Sequence, residues 1–266
     1  MLALAALALA GCPPRAPPPD LSLDPAQLLA QVRSAQDRVR SVRGDVRVRV
    51  ETQRGSGTVS GFAAAKKPDR VLVHTFDFFG NTASALATAG GELSLYDARE
   101  RVVYRGAATA ENLARLVPIP LSPSDLATLL CGSAPLLEGE PVRADPGRGW
   151  VELEIAAGQA RQVLRVGPGA AVLSSSLSVP GGGTGAYDVA FGERDTSDAK
   201  RFPGEVTVSA REPRAKVRLT WTEVEPGAAL EDTIFAPTVP RGARVVDLAG
   251  TPPPAGLFPE PRPPGP

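Results

Sequence analysis

The sequence predicts a mainly β protein with a few helices: a single strongly curved antiparallel sheet, an incomplete β-barrel, with helices plugging its concave face. Three observations carry this. Apolar and polar residues alternate with period two over much of the chain after residue 41, as strands with one buried face require. Turn signals recur every eight to twelve residues, the spacing of a large antiparallel sheet. Three helical segments each offer one apolar stripe. Twist accumulates from strand to strand, so a sheet of this size must curl. The curl leaves an apolar hollow for those helices to cover.

Met1 to Gly11 is Leu and Ala between its first and last residues. That run is too short to span a bilayer, which takes about 20 apolar residues, and suits the apolar core of a secretory signal peptide. Pro13, Pro14 and Pro17 to Pro19 follow at once and forbid a continuing helix. No Lys or Arg precedes the apolar run, so the natural start is expected upstream of Met1. Residues 12–20 are expected to form an extended tether. Asp24-Pro25-Ala26-Gln27 is a helix start, with Asp as cap, Pro at the first helical position and Gln three residues past the cap. Leu28, Leu29, Val32, Ala35 and Val39 then keep a helical period.

The period next changes to two. Val42, Gly44, Val46, Val48 and Val50 alternate with Arg43, Asp45, Arg47, Arg49 and Glu51. Gly55 to Gly57 reads as a turn, Val59 to Ala65 as the returning strand and Lys66 to Asp69 as the next turn. Arg70 to Phe79 reads as a strand closed by Gly80-Asn81. Phe76 and Phe78 then share a face with Leu72 and His74, opposite Val71, Val73 and Phe79. Bulk on both faces leaves a two-layer core and a lipid cavity open as alternatives. Thr82 to Thr88, Glu92 to Asp97 and Arg101 to Tyr104 continue the meander, with Gly90-Gly91 as a hairpin turn.

The rhythm breaks in the middle. Thr109 caps a short helix to Leu116, stopped by Pro118 and Pro120. Ser122-Pro123-Ser124-Asp125 opens a second, which turns Leu126, Leu129 and Leu130 to the sheet and ends near Cys131-Gly132. Strands resume at 141–145, 149–156, 161–166, 171–179, 185–191, 204–211 and 215–224. Leu230 to Phe235 suits one helical turn and Val245 to Leu248 a last edge strand. Residues 251–266 are half Pro and read as a disordered tail.

A hydrophobic share of 42% at a formal net charge of zero describes a globular body with a real core. It excludes nucleic acid as partner, which calls for a basic face. His74 is the only His, mid-strand, and Cys131 follows Leu129-Leu130 at a helix end. Any His-based triad or zinc site would have to use His74, and Cys131 with His74 offers a nucleophile–base pair, but a sheet histidine and a buried thiol are the plainer readings. Gly181 to Gly185 lacks the Lys of a phosphate loop, and Glu152 and Glu154 alternate with Leu153 and Ile155 as a wet strand face. Trp150 and Trp221 fit either strand-end packing or interfacial anchoring. No catalytic residues, metal site or cofactor are expected.

Leu9-Ala10-Gly11-Cys12 resembles the lipobox of bacterial lipoproteins. The resemblance implies a diacylglyceryl group on Cys12 and cleavage before it, which leaves Cys131 alone and no intramolecular disulfide. Two or three acyl chains meet the requirement for stable membrane anchoring. Asp is absent just after Cys12, so the outer membrane is the expected address.

The globular part resembles the LolA/LolB-like superfamily of lipoprotein-localisation factors. The residues that carry this are the opening helix with Val42-Arg43-Gly44-Asp45-Val46-Arg47-Val48, then Lys67-Pro68-Asp69-Arg70-Val71 and Phe78-Phe79-Gly80-Asn81. They continue with Gly91 to Asp97, Tyr104-Arg105-Gly106, Leu121 to Gly132, Phe202-Pro203 and Phe235 to Gly242. The resemblance implies a half-barrel domain over 21–250 and a cavity able to hold acyl chains, with Leu72, Phe76, Phe78, Leu93, Leu95, Leu126, Leu129 and Leu130 as candidate lining. Because the acceptor of that family is itself a lipoprotein, Cys12 points to the acceptor: a monomer on the periplasmic face of the outer membrane, with lipoprotein or lipid cargo. That acceptor inserts a protruding loop tipped by an exposed Leu, and no Leu-tipped loop is evident here. The Pro-rich tail is also outside the pattern. The alternative function is a structural or sensing envelope lipoprotein that uses the same fold to bind a protein partner.

Overall fold

The computed structural model describes residues 16–53, 55–117, 119–182, 185–192, 202–212, 214–236 and 239–249. The expected signal peptide, Cys12, the start of the tether and the tail at 251–266 lie outside the described residues, as do Pro118 and Gly183-Thr184.

The chain opens with α1 (Pro25–Asp37). Asp24 accepts a hydrogen bond from the Gln27 N–H at 2.8 Å, which satisfies one of the free amides of the first turn. The Gln27 side chain accepts from Ser22 Oγ at 3.1 Å instead of reaching back to the cap. Six strands follow: β1 (Ser41–Thr52), β2 (Gly55–Lys66), β3 (Arg70–Phe76), β4 (Thr82–Ala89), β5 (Glu92–Asp97) and β6 (Val102–Ala107). Two short helices, α2 (Ala110–Ala114) and α3 (Pro123–Leu130), separate them from β7 (Glu140–Pro146), β8 (Val151–Ala157), β9 (Ala160–Gly167) and β10 (Ala171–Ser178). The chain ends with β11 (Tyr187–Phe191), β12 (Glu205–Ala210), β13 (Ala215–Trp221), the two-residue β14 (Glu225–Pro226) and β15 (Arg244–Asp247).

All the strands join one curved, unclosed sheet in the order β15-β6-β5-β4-β3-β2-β1-β13-β12-β11-β10-β9-β8-β7, with β14 also on β1. β1 is the pivot between two meanders, paired with β2 on one side and β13 on the other. The α2–α3 segment carries the chain from the end of the first meander at β6 to β7, the far edge of the second. Helices therefore plug the hollow because the connection has to cross it.

Three expectations are corrected. The sheet is mixed rather than wholly antiparallel, because β15 runs parallel to β6. Pairing of β1 with β2 continues out to Thr52 opposite Gly55, so Gly55 to Gly57 belongs to a strand and not to a turn. Finally, β3 stops at Phe76, and Phe78 and Phe79 stand in the turn beyond it.

The helix-covered face holds two apolar clusters. Under α3, Val71, Val73, Leu86, Leu93 and Leu95 of the first meander pack with Leu129 and Leu130. Under α1, Leu28, Leu29 and Val32 close over Val151, Leu153, Ile155, Leu164 and Val166 of the second. Each such side chain contributes about 1.5–3 kcal/mol on full burial, more than a 13-residue helix gains alone. A third, smaller cluster lies on the convex face, where Phe235 from a short 3-10 turn (Asp232–Phe235) packs on Ala64, Leu72 and Ala87.

Candidate functional site

The two concave-face clusters meet at a cavity of about 380 Å³, where the ends of α1 and α3 face the β9–β10 turn. Its apolar groups come from Ala35 and Val39, the last members of the α1 stripe, Cys131 after α3, Val172 of β10 and Phe202. Local sequence fixes each part. The Ser122 hydroxyl accepts from the Asp125 N–H at 3.1 Å and the Asp125 carboxylate accepts from the Ser122 N–H at 2.9 Å, the reciprocal cap that starts α3. Gly132 ends it at φ +78°, and a Cβ there would lie 2.7 Å from Pro203 Cδ. Phe202 stands edge-on to Trp221, ring centres 6.1 Å apart. Beyond the helix, Gln162 accepts from the Leu137 N–H at 2.7 Å and donates to the Pro135 carbonyl at 2.7 Å and to Ser175 Oγ at 2.9 Å, so the buried amide pins the segment to the sheet.

The cavity rim is polar. Asp20 accepts from the Gly169 N–H at 2.7 Å and Arg38 donates to the Gly169 carbonyl at 2.6 Å, which clamps the β9–β10 turn from both sides of one residue. Pro18 is buried, so the last residues of the expected tether are docked onto the domain. Lys67 Nζ donates to the Gln36 carbonyl at 2.8 Å. Burial pulls the Lys67 ammonium below the ordinary lysine value, opposed by charge interactions with Cys131 and Asp37. Burial pushes the Cys131 thiol up to about 11, with Lys67 acting against it. At neutral pH the thiol is therefore protonated, a small apolar wall element. The rim thus sets Arg38 beside Asp20, and most of the surface that faces the cavity is polar.

Of the eight candidate lining residues, Leu93, Leu95, Leu129 and Leu130 are brought together under α3, with Leu126 half-buried against them. Leu72 is not among them. It lies in register with Ala87, which pairs with Ser94, and the alternation that turns Leu93 and Leu95 inward turns this row outward to Phe235. Phe76 ends β3 half-buried, opposite Thr82. Phe78 is 97% exposed. The rim residue Arg38 escaped the sequence reading, since it sits past the end of α1. Cys131-Gly132 and Phe202-Pro203 were visible, but nothing in the sequence showed that they touch.

The β3–β4 turn, at the end of β3 opposite Lys67, is a separate feature. Asp77 accepts from the Phe79 N–H at 2.9 Å and the Asn81 N–H at 2.8 Å, with Asn81 Nδ2 at 3.2 Å. These bonds, that from the Asn81 backbone foremost, hold its carboxyl below the ordinary aspartate value. The Asp thus captures the amides that a longer strand would have used. The resulting turn presents Phe78 and Phe79, 97% and 84% exposed, with ring centres 5.6 Å apart. Two exposed Phe side chains thus stand on this turn, where the sequence predicts a continuing strand.

His74 and Cys131 do not meet. His74 is half-buried on the convex face and Cys131 is buried beside the concave cavity. Trp221 is packing in the core, and Trp150 carries the Arg165 guanidinium 4.7 Å from its ring centre. Among the described residues no three His, Cys, Asp or Glu side chains converge as metal ligands do.

No family model matches the chain, and no curated protein does either. Solved structures do. A LolA superfamily protein from Nitrosomonas europaea superposes with a TM-score of 0.56 at 11% identity over 81% of this chain and 99% of that one. A domain assigned to outer membrane lipoprotein sorting in Vibrio parahaemolyticus gives 0.53 at 10% identity over 79% and 94%. A DUF1329 family protein from Desulfovibrio piger gives 0.54 at 14% over 81% and 98%. At these identities the likeness is one of fold.

Proposed function

We propose that this chain, whose fold is LolA/LolB-like, is an envelope lipoprotein anchored through Cys12 that takes the acyl chains of lipoprotein or lipid cargo into its concave face. In this reading it works as a monomer on the periplasmic side of the outer membrane and catalyses nothing. The observation that carries it is the 380 Å³ cavity at the seam between two apolar clusters, each covered by its own helix. An acyl chain passing between the two clusters gains about 0.8 kcal/mol per buried methylene, and the mostly polar cavity at their seam, with Arg38 and Asp20 at its rim, suits a polar head. The Phe78–Phe79 turn supports the same reading, because two adjacent exposed aromatic rings form an apolar patch of the kind that meets a membrane or a partner. The lipoprotein-sorting and LolA neighbours are in keeping with it.

The test is native mass spectrometry of the Cys12→Ser chain, with displacement of a fluorescent fatty acid. Bound acyl species and saturable displacement are expected. A clean apo mass with no displacement sinks the acyl-carrier reading. It would favour a structural or sensing lipoprotein that binds a protein partner, a reading that already draws support from Leu129 and Leu130 being fully seated on the sheet.

A further inference from the structure

We infer that the end of the half-barrel at which the seam cavity lies is the surface that faces the bilayer, and that the docked tether holds it there. The inference rests on the anchoring through Cys12 proposed above and adds an orientation to it. Antiparallel pairing sorts the turns into two ends. At one end lie the β2–β3, β4–β5, β7–β8 and β9–β10 turns, since Lys66 pairs with Arg70, Ala89 with Glu92, Pro146 with Val151 and Gly167 with Ala171. The last turns of α1 bind both meanders there: the Gln36 carbonyl accepts from Lys67 Nζ, and Arg38 just past the helix donates to the Gly169 carbonyl. At the other end lie the β3–β4 turn with Phe78 and Phe79 and the β8–β9 turn with Gly158 and Gln159.

The tether reaches the domain at the seam end. Read back from α1, Ser22 Oγ donates to Gln27 in the first turn of the helix, and the Asp20 carbonyl accepts from Gln31 Nε2 at 3.0 Å in its middle. The Asp20 carboxylate then accepts from the Gly169 N–H in the β9–β10 turn. The chain therefore runs toward this end as it nears Cys12. Leu21 is buried in the cluster under α1 and Pro18 is buried too, so neither adds slack. Cys12 stands four positions before Ala16, the first described residue, a reach of at most about 14 Å. β3 alone, at seven residues, is about 23 Å long. An anchor on so short a lead brings the seam end to the bilayer and keeps the Phe turn off it. Lipid then passes between bilayer and seam over a short path, while Phe78 and Phe79 are left to meet a second surface.

Energy transfer to a bilayer tests the orientation. The chain beginning at Cys12 is coupled through that thiol to a maleimide phospholipid in phosphatidylcholine vesicles that also carry a headgroup-linked acceptor dye. Cys131 is 3% exposed, so Cys12 alone couples. An azide-bearing phenylalanine at Arg148 or at Gln159, both exposed, takes the donor dye. The two positions flank β8, whose seven residues span about 23 Å, so transfer from Arg148 is expected to be at least about twofold stronger. A flexible Gly/Ser insertion of about ten residues between Pro14 and Arg15, outside the folded part, frees the domain to turn over and should bring the two positions level. Equal transfer without the insertion, or stronger transfer from Gln159, overturns the inference. So does a difference that survives the insertion, because the tether would then not be its cause. Chemical coupling keeps these outcomes apart from the reading they rest on: acylation of Cys12 in the cell is read from the mass of the protein extracted from the envelope, and acyl binding from fatty-acid displacement.

Discussion

At Gly132 the chain leaves α3 through φ +78°, and the space a Cβ would need is held by Pro203 Cδ at 2.7 Å and the Phe202 ring at 2.9 Å. Gly132→Ala therefore combines a disfavoured backbone with overpacking and should cost about 1–3 kcal/mol, read as a lower urea midpoint at constant slope. Gly158, at φ +58° with nothing near its missing Cβ, is the comparison: Ala there loses only the backbone share. His74 supplies a pH-dependent counterpart. Burial alone lowers its pKa from 6.5, so the unfolded chain binds a proton more readily than the folded one. Stability then rises with pH across that window and is lost as pH falls below about 6.5. The urea midpoint of the wild type should drop more between pH 7.5 and pH 5 than that of His74→Gln, and equal drops would remove His74 as the cause. Neither effect was legible in the sequence. Gly132 and His74 could be named, but what surrounds them comes from strands and loops far away in the chain.

α1 shows how far local chemistry reaches. Asp24-Pro25 announces its start, and the structure places the Asp24 carboxylate 2.8 Å from the Gln27 N–H. Asp24→Ala should cost about 0.5–2 kcal/mol in thermal or urea melts, and a loss near zero would mean that packing of Leu28, Leu29 and Val32 alone holds the helix. Gln162 plays the matching part for the segment after α3. Gln162→Leu strands the Leu137 N–H and the Pro135 carbonyl and should cost about 1–3 kcal/mol. Period-two alternation located β1, β8 and β12 well because each has a wet and a dry face, whereas β2 to β5 are buried on both faces along part of their length. It failed at β3, where the Asp77 side chain overrides the pattern two residues before the apolar run ends. It was equally silent on β15, whose parallel partner β6 is set by a long return of the chain and by no local signal.

At the scale of the whole molecule, the half-barrel was readable because strand number and twist leave few shapes for so large a sheet. Which helix covers which meander was not, since α1 and α3 carry similar apolar stripes and only the order of strands distributes them. That distribution creates the seam, and the seam makes the last prediction. If acyl chains enter between the two clusters, access depends on the cavity wall and membrane delivery depends on the Phe turn, so the two can be separated. Ala35→Phe fills the cavity from a half-buried helix position. It should reduce fluorescent fatty-acid affinity about tenfold while leaving vesicle binding of the unlipidated chain intact. Phe78→Ser with Phe79→Ser should do the reverse, with each Phe losing up to about 1.5–3 kcal/mol of burial in lipid. Both variants keep the native clusters, which circular dichroism and an unchanged urea midpoint would verify. If Ala35→Phe binds the probe as the wild type does, the acyl chain does not lie in the seam. If the double Phe variant retains its vesicle binding, the turn serves some other surface.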